Sequence, residues 1–122
     1  MEIFGYRNLI AYQKAKEVVK HTYKLLKKFP AEERYAMSDQ LRRASVSITS
    51  NIAEGINRYS VKDKSHFIEM SYGSLMEVSS QFEIAEELGY ITVEERLSMD
   101  QLIEEVARLL SGLQKTFKTS TE

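Results

Sequence analysis

The chain is predicted to fold as an all-α, antiparallel up-down-up-down four-helix bundle, and three observations carry that prediction. Apolar residues recur at spacings of three and four along most of the 122 residues, no stretch alternates with the period of a strand, and helix-breaking residues are few. The single proline is Pro30, and of five glycines Gly55 and Gly89 fall where the apolar period breaks. These marks divide the chain into helices expected at about 8–28, 32–54, 61–88 and 93–117, within one domain spanning 1–122. Rods of roughly 20 or more residues are about 30 Å long or longer, and connections this short permit only neighbouring antiparallel packing.

In the first segment Tyr12, Ala15, Val19, Thr22, Leu26 and Phe29 keep one stripe on one face while the lysines fall elsewhere, and Pro30 ends the helix. Ile3, Phe4 and Tyr6 precede it and are expected to cover one end of the bundle. The second segment places Met37, Leu41, Ala44, Ile48 and Ile52 on its inner face, and Gly55 is expected to take the left-handed cap conformation at its end. Ser45, Ser47, Thr49 and Ser50 are mediocre helix formers, so this helix depends on tertiary packing, and its small side chains suit an internal helix closely approached by a neighbour.

The third segment opens on Ser60-Val61-Lys62-Asp63, a capping box with Asp in place of the usual Glu. Its expected inner stripe is Phe67, Ser71, Ser74, Val78, Gln81, Ala85 and Leu88, with Gly73-Ser74 as the place where another helix approaches closely. Thr92-Val93-Glu94-Glu95 is a full capping box that starts the fourth segment, whose stripe is Met99, Leu102, Val106, Leu109 and Leu113. Beyond Phe117 the tail is polar and expected to fray.

A hydrophobic content of 43% is enough for one packed core, and the lack of cysteine excludes disulfides, thiol nucleophiles and cysteine-held metal centres. From Met1 to Lys28 charged residues interrupt the apolar ones, and no apolar run approaches the ~20 residues of a membrane span. A soluble, cytoplasmic protein without a secretory leader or membrane partner is therefore expected. The net charge of −1 hides an asymmetry, since residues 1–61 hold 11 Lys and Arg against 6 Asp and Glu, and residues 62–122 hold 6 against 12. Such halves either attract each other, within a chain or between copies, or present a basic face to nucleic acid. Lys20, Lys24, Lys27, Lys28, Arg42 and Arg43 are the candidate contacts for RNA or DNA.

Ser47-Ile48-Thr49-Ser50-Asn51-Ile52-Ala53-Glu54-Gly55, closing on Arg58, puts an amide, a carboxylate and a guanidinium on a helix whose apolar spacing reads as buried. Buried groups of this kind cost several kcal/mol unless partners satisfy them. Glu54 and Arg58 are four apart and can pair with each other or across an interface; Asn51 can cap helix carbonyls or bond a neighbouring helix. Glu77 and Gln81 form another polar pair four apart, expected to meet Arg43 and Asn51 in a network inside the bundle or at an interface. Arg42 and Arg43, about 100° apart on a helix, are not expected to share one face.

Neither metal nor cofactor is expected. Helical bundles hold di-metal centres through paired Glu-x-x-His motifs, whereas here Asp63 precedes His66 by three residues but His21 has Val18 at that spacing, with Glu17 four before it, so only one such pair exists. Two histidines on different helices, no cysteine and no glycine-rich phosphate loop give no catalytic pattern, so no enzyme activity is expected.

The order of several short strings resembles one family. Leu9-Ile10-Ala11-Tyr12-Gln13-Lys14-Ala15, Gln40-Leu41-Arg42-Arg43-Ala44, Ser50-Asn51-Ile52-Ala53-Glu54-Gly55, Gly73-Ser74-Leu75-Met76-Glu77 and Leu88-Gly89-Tyr90-Ile91 are similar to the bacterial four-helix-bundle proteins of 23S rRNA intervening sequences, the S23-like family. The resemblance covers nearly the whole chain. It implies a homopentamer without known enzymatic activity, related to retroelement accessory proteins that bind a reverse transcriptase and nucleic acid. Those accessory relatives are markedly basic, whereas this chain has a pI near 6.2.

Overall fold

The computed structural model describes residues 3–119, in which a 3-10 turn (Gly5–Asn8) leads into α1 (Ile10–Leu26). A second 3-10 turn (Ala31–Glu33) precedes α2 (Met37–Ile56), followed by α3 (Val61–Glu87) and α4 (Val93–Thr119). Each helix packs against its neighbours in sequence, and α4 closes the square against α1. This is the predicted four-helix bundle. None of the described helices is long and apolar enough to cross a membrane.

The first two helices start later than predicted, for the same reason. Neither Leu9 nor Ala36 supplies a side-chain cap, so the chain before each helix tightens into a 3-10 turn instead of extending the α-helix. For α2 the missing cap comes from outside: Glu33 Oε1 accepts the Met37 backbone N–H at 3.3 Å, and Glu33 Oε2 accepts the Tyr90 hydroxyl at 2.8 Å. The N-terminal turn is tied to the far end of α2, where Asn57 Nδ2 donates to the Ile3 carbonyl at 3.0 Å, and Tyr6 packs edge-on against Tyr12.

The later helices start as expected. Ser60 Oγ accepts the Asp63 backbone N–H at 3.0 Å. At α4 the box closes in both directions, with Thr92 N–H donating to Glu95 Oε1 at 2.8 Å and Glu95 N–H donating to Thr92 Oγ1 at 3.1 Å. The Lys28 ammonium, bonded to the same carboxylate at 2.6 Å, together with the Thr92 N–H, holds Glu95 below the ordinary carboxylate range. Gly89, at φ +83°, is the left-handed residue that turns the chain from α3 to α4.

The core stripes are partly rotated from those predicted. All four innermost residues of α2 (Leu41, Ala44, Ile48 and Ile52) are buried as expected, while Met37 is half-buried. In α1, Ala11, Val18 and Leu25 join Ala15, Thr22 and Phe29, leaving Tyr12, Val19 and Leu26 half-buried. In α3 the buried face is Ile68, Ser71, Leu75, Val78, Phe82 and Ala85, one residue away from Phe67, Ser74 and Gln81, and Leu88 is exposed. In α4, Ile103 and Leu110 are buried beside Met99 and Val106, while Leu102, Leu109 and Leu113 lie at the flanks. A bundle helix has two neighbours, so apolar residues cover the flanks as well as the centre, and spacing alone selects one register among several. Phe117 is buried and α4 runs to Thr119; the rest of the tail expected to fray lies outside the described residues.

Two glycines depart from their expected roles. Gly55 lies inside α2 rather than at a left-handed cap, and a Cβ there would sit 2.9 Å from Phe67 Cβ and 3.3 Å from the Lys64 carbonyl oxygen. Gly73, expected to permit close approach, has nothing within 4 Å of its Cβ position. Of the two, it is Gly55 whose missing Cβ lets α2 and α3 approach closely.

Candidate functional site: the outer face of α2

On α2, Leu41, Ala44, Ile48 and Ile52 point inward, so Asp39, Arg43, Val46, Ser50 and Glu54, at spacings of four, three, four and four, form the opposite stripe. An open groove of about 620 Å³ runs along this face; Tyr23 of α1, Arg42, Ser47 and Asn51 complete its lining. From the segment singled out by sequence, Ser47, Ser50, Asn51 and Glu54 thus line the outside of the bundle, while Ile48, Ile52 and Gly55 are buried. Of the small hydroxyl residues of α2, Ser50 is exposed on the groove, Ser47 and Thr49 are half-buried, and Ser45 is buried and bonds the Arg42 carbonyl at 3.0 Å.

The predicted network divides into local pairs. Arg43 Nε bonds Asp39 Oδ2 at 2.9 Å, and Gln81 Nε2 bonds Glu77 Oε2 at 3.0 Å. Asn51 Nδ2 donates to the Ser47 carbonyl at 2.9 Å and to Ser47 Oγ at 3.0 Å. No hydrogen bond joins Arg43 or Asn51 to Glu77 or Gln81, because the latter pair sits on α3 beside its buried face. The polar links between α2 and α3 are serines: Ser74 Oγ donates to Ser47 Oγ at 2.9 Å, and buried Ser71 Oγ donates to the Ile48 carbonyl at 2.8 Å. Ser47, which the sequence reading treated only as a weak helix former, is the hub. Hydroxyls at 47 and 74 carry no sequence signal of pairing until the helix faces are known.

Glu54 and Arg58 approach only to 3.9 Å, both roughly half exposed, and the Arg58 guanidinium lies over the Phe67 ring at 4.4 Å. Arg42 and Arg43, expected on different faces, meet the same carboxylate: Arg42 Nη2 lies 3.5 Å from Asp39 Oδ1. A residue's neighbours on a helix surface are those three and four positions on, so Asp39 sits between the two arginines. The Arg43 hydrogen bond, reinforced by Arg42, holds the Asp39 carboxyl below the ordinary carboxylate range. Asp39 was missed as a site residue, although its spacing to Arg43 repeats that of Glu54 to Arg58.

The candidate nucleic-acid contacts also divide. Lys20 and Lys24 lie on the side of α1 opposite its buried residues and Lys27 at its C-terminal cap, all exposed and without an ion pair among the described residues. Lys28 is engaged by Glu95, and Arg42 and Arg43 by Asp39. No group of three or more His, Cys, Asp or Glu among the described residues is arranged to hold a metal ion.

The four packed helices define an all-α four-helix-bundle protein, with the polar side chains of Asp39, Arg43, Ser50 and Glu54 on its outer face. The chain belongs to the 23S rRNA-intervening sequence protein family, whose model matches residues 7–112. Its fold is similar to that of a protein of unknown function from the S23 ribosomal protein family of Bacteroides thetaiotaomicron, at 25% identity and a TM-score of 0.79, over 87% of this chain and 99% of that one. No curated protein matches the sequence.

Proposed function

We propose that this chain is a non-enzymatic, self-associating helical scaffold or adaptor, by family resemblance a homopentamer. The observation that carries the reading is the charge left over after folding. Among the described residues, Lys14–Glu105 and Lys28–Glu95 are ion pairs that join the basic half to the acidic half. Exposed Lys20 and Lys24 on α1 with Lys27 at its cap, and exposed Glu69, Glu83 and Glu87 on α3, have no ion-pair partner among the described residues. Opposite charges on different faces of one chain favour head-to-tail contacts between copies, which close into a ring when the rotation permits.

Sedimentation of the purified chain should show an oligomer at micromolar concentration that weakens as salt rises and is disrupted by the Lys20→Glu/Lys24→Glu/Lys27→Glu variant. A monomer at every salt concentration would remove this reading. The unpaired lysines also favour a second reading, an accessory protein that binds RNA or DNA through α1. That reading requires binding to structured RNA or duplex DNA at low salt, with a salt dependence reduced by about two to three phosphate contacts when the three lysines become alanine.

A further inference from the structure

Two opposite sides of the bundle carry complementary surfaces at the same end. The helices pack in the order α1, α2, α3, α4, with α4 against α1, so the α1–α2 side is opposite the α3–α4 side. The connection after α1 and the turn at Gly89 lie together, since Lys28 bonds Glu95 and the Tyr90 hydroxyl bonds Glu33. On the α3–α4 hairpin around that turn, Ile84, Leu88, Val93 and Leu97 are each between 43% and 54% exposed. Single exposed apolar residues are ordinary, but four at one hairpin end form an interaction patch. Glu83 and Glu87, exposed and unpaired among the described residues, stand beside them.

The α1–α2 groove has the opposite character. Tyr23 and Val46, both exposed, line it next to Arg42 and Arg43, whose two charges share the single carboxylate of Asp39. Lys20 lies three residues before Tyr23 and Lys27 four after it, so both unpaired lysines flank that ring on the helix surface. We propose that the α3–α4 hairpin end of a second copy of the chain docks here, its Ile84 and Leu97 resting on Tyr23 and Val46 and its Glu83 and Glu87 facing Lys20, Lys27 and Arg43.

Charge and level select a second copy as the occupant. An apolar patch edged by carboxylates matches an apolar groove edged by lysine and arginine, and this chain presents both. Arg43 and Val46 follow Met37 by six and nine residues, which places them about 9 and 14 Å into α2. Glu83, Ile84 and Leu97 lie three or four residues from the ends of α3 and α4 at the Gly89 turn, about 5–6 Å along the helix. Copies standing side by side with parallel axes therefore bring patch and groove within two turns of the same level. A contact between two different surfaces repeats from copy to copy, and it closes into a ring of odd or even number when the rotation permits.

This contact rests on the self-association reading and adds an apolar centre to it. Exposed residues break it from either side: Arg43→Glu, with Val46→Glu as a second variant, alters the groove, and Ile84→Ala/Leu97→Ala alters the hairpin. Circular dichroism verifies folding, and sedimentation at low salt reads the particle mass. The wild type should form particles of more than two chains, and each variant alone should associate roughly tenfold or more weakly. An equimolar mixture of a groove variant and the hairpin variant should give a two-chain particle and none larger. The intact hairpin of one then fits the intact groove of the other, while the two surfaces left over are both altered.

Variants with unchanged mass, or a mixture that stays monomeric, would overturn the proposal. An assembly dissolved by the Lys20→Glu/Lys24→Glu/Lys27→Glu variant but indifferent to the changes at Arg43, Val46, Ile84 and Leu97 would overturn this contact while leaving the scaffold reading intact. A wild type that is monomeric at every salt concentration would remove both.

Discussion

Replacing Phe82 with alanine should lower the unfolding free energy by about 3–5 kcal/mol, the range for deleting a buried aromatic side chain in a core that relaxes only partly. Phe82 is fully buried in α3, and its ring packs edge-on against Phe29 with centroids 6.4 Å apart. Phe29 in turn lies 5.2 Å from the Tyr90 ring, and Tyr90 donates its hydroxyl to Glu33. The three rings therefore join the segment after α1, the inner face of α3 and the α3–α4 turn, while Glu33 ties them to the start of α2. Truncation removes the centre of that cluster, where no solvent-facing side chain can swing in. Urea unfolding should show a much lower midpoint with little change in slope. Since a domain's total stability is about 5–15 kcal/mol, the variant should be close to unfolding at growth temperature. A loss below about 1 kcal/mol would contradict a rigid aromatic centre at this end of the bundle.

Phe82 also shows where the sequence was legible and where it was not. Helix number, order and the Thr92–Glu95 cap followed from spacing and cap chemistry, which are local properties. The face of α3 did not, because Ser71, Val78 and Ala85 fit either of two stripes, one completed by Gln81 and the other by Phe82. Hydrophobicity favours Phe82, but α3 carries apolar residues around much of its circumference, including exposed Met70, Met76 and Ile84. Only packing against α2 and α4 settles the rotation. The α2 segment was recognisable from its polar residues, yet the prediction of an interior network assumed that an apolar period buries everything near it. The buried face of α2 is Leu41, Ala44, Ile48 and Ile52 with Ser38, Ser45 and Gly55 beside them, and this leaves Arg43, Ser50 and Glu54 outside.

Gly55→Val should destabilise the bundle by about 3 kcal/mol, toward the upper end of what overpacking costs, and Gly55→Ala by less in the same direction. The atoms that a new Cβ would meet are Phe67 Cβ at 2.9 Å and the Lys64 carbonyl oxygen at 3.3 Å. Neither is the end of a flexible side chain, so relief requires α2 and α3 to move apart. Separation there would disturb Ser71 Oγ on the Ile48 carbonyl and Ser74 Oγ on Ser47, the hydrogen bonds that join the same two helices. The opposing gain in helix propensity, at most about 1 kcal/mol for glycine to alanine, is reduced in the last turn, where the helix frays most easily. Gly73→Ala isolates that gain, because its Cβ position is open and its backbone is ordinary helix. It should stabilise the protein by about 0.5–1 kcal/mol. Urea midpoints should therefore move down for Gly55→Ala and up for Gly73→Ala. Movement of both in the upward direction would mean that α2 and α3 do not meet as closely at Gly55 as the structure places them.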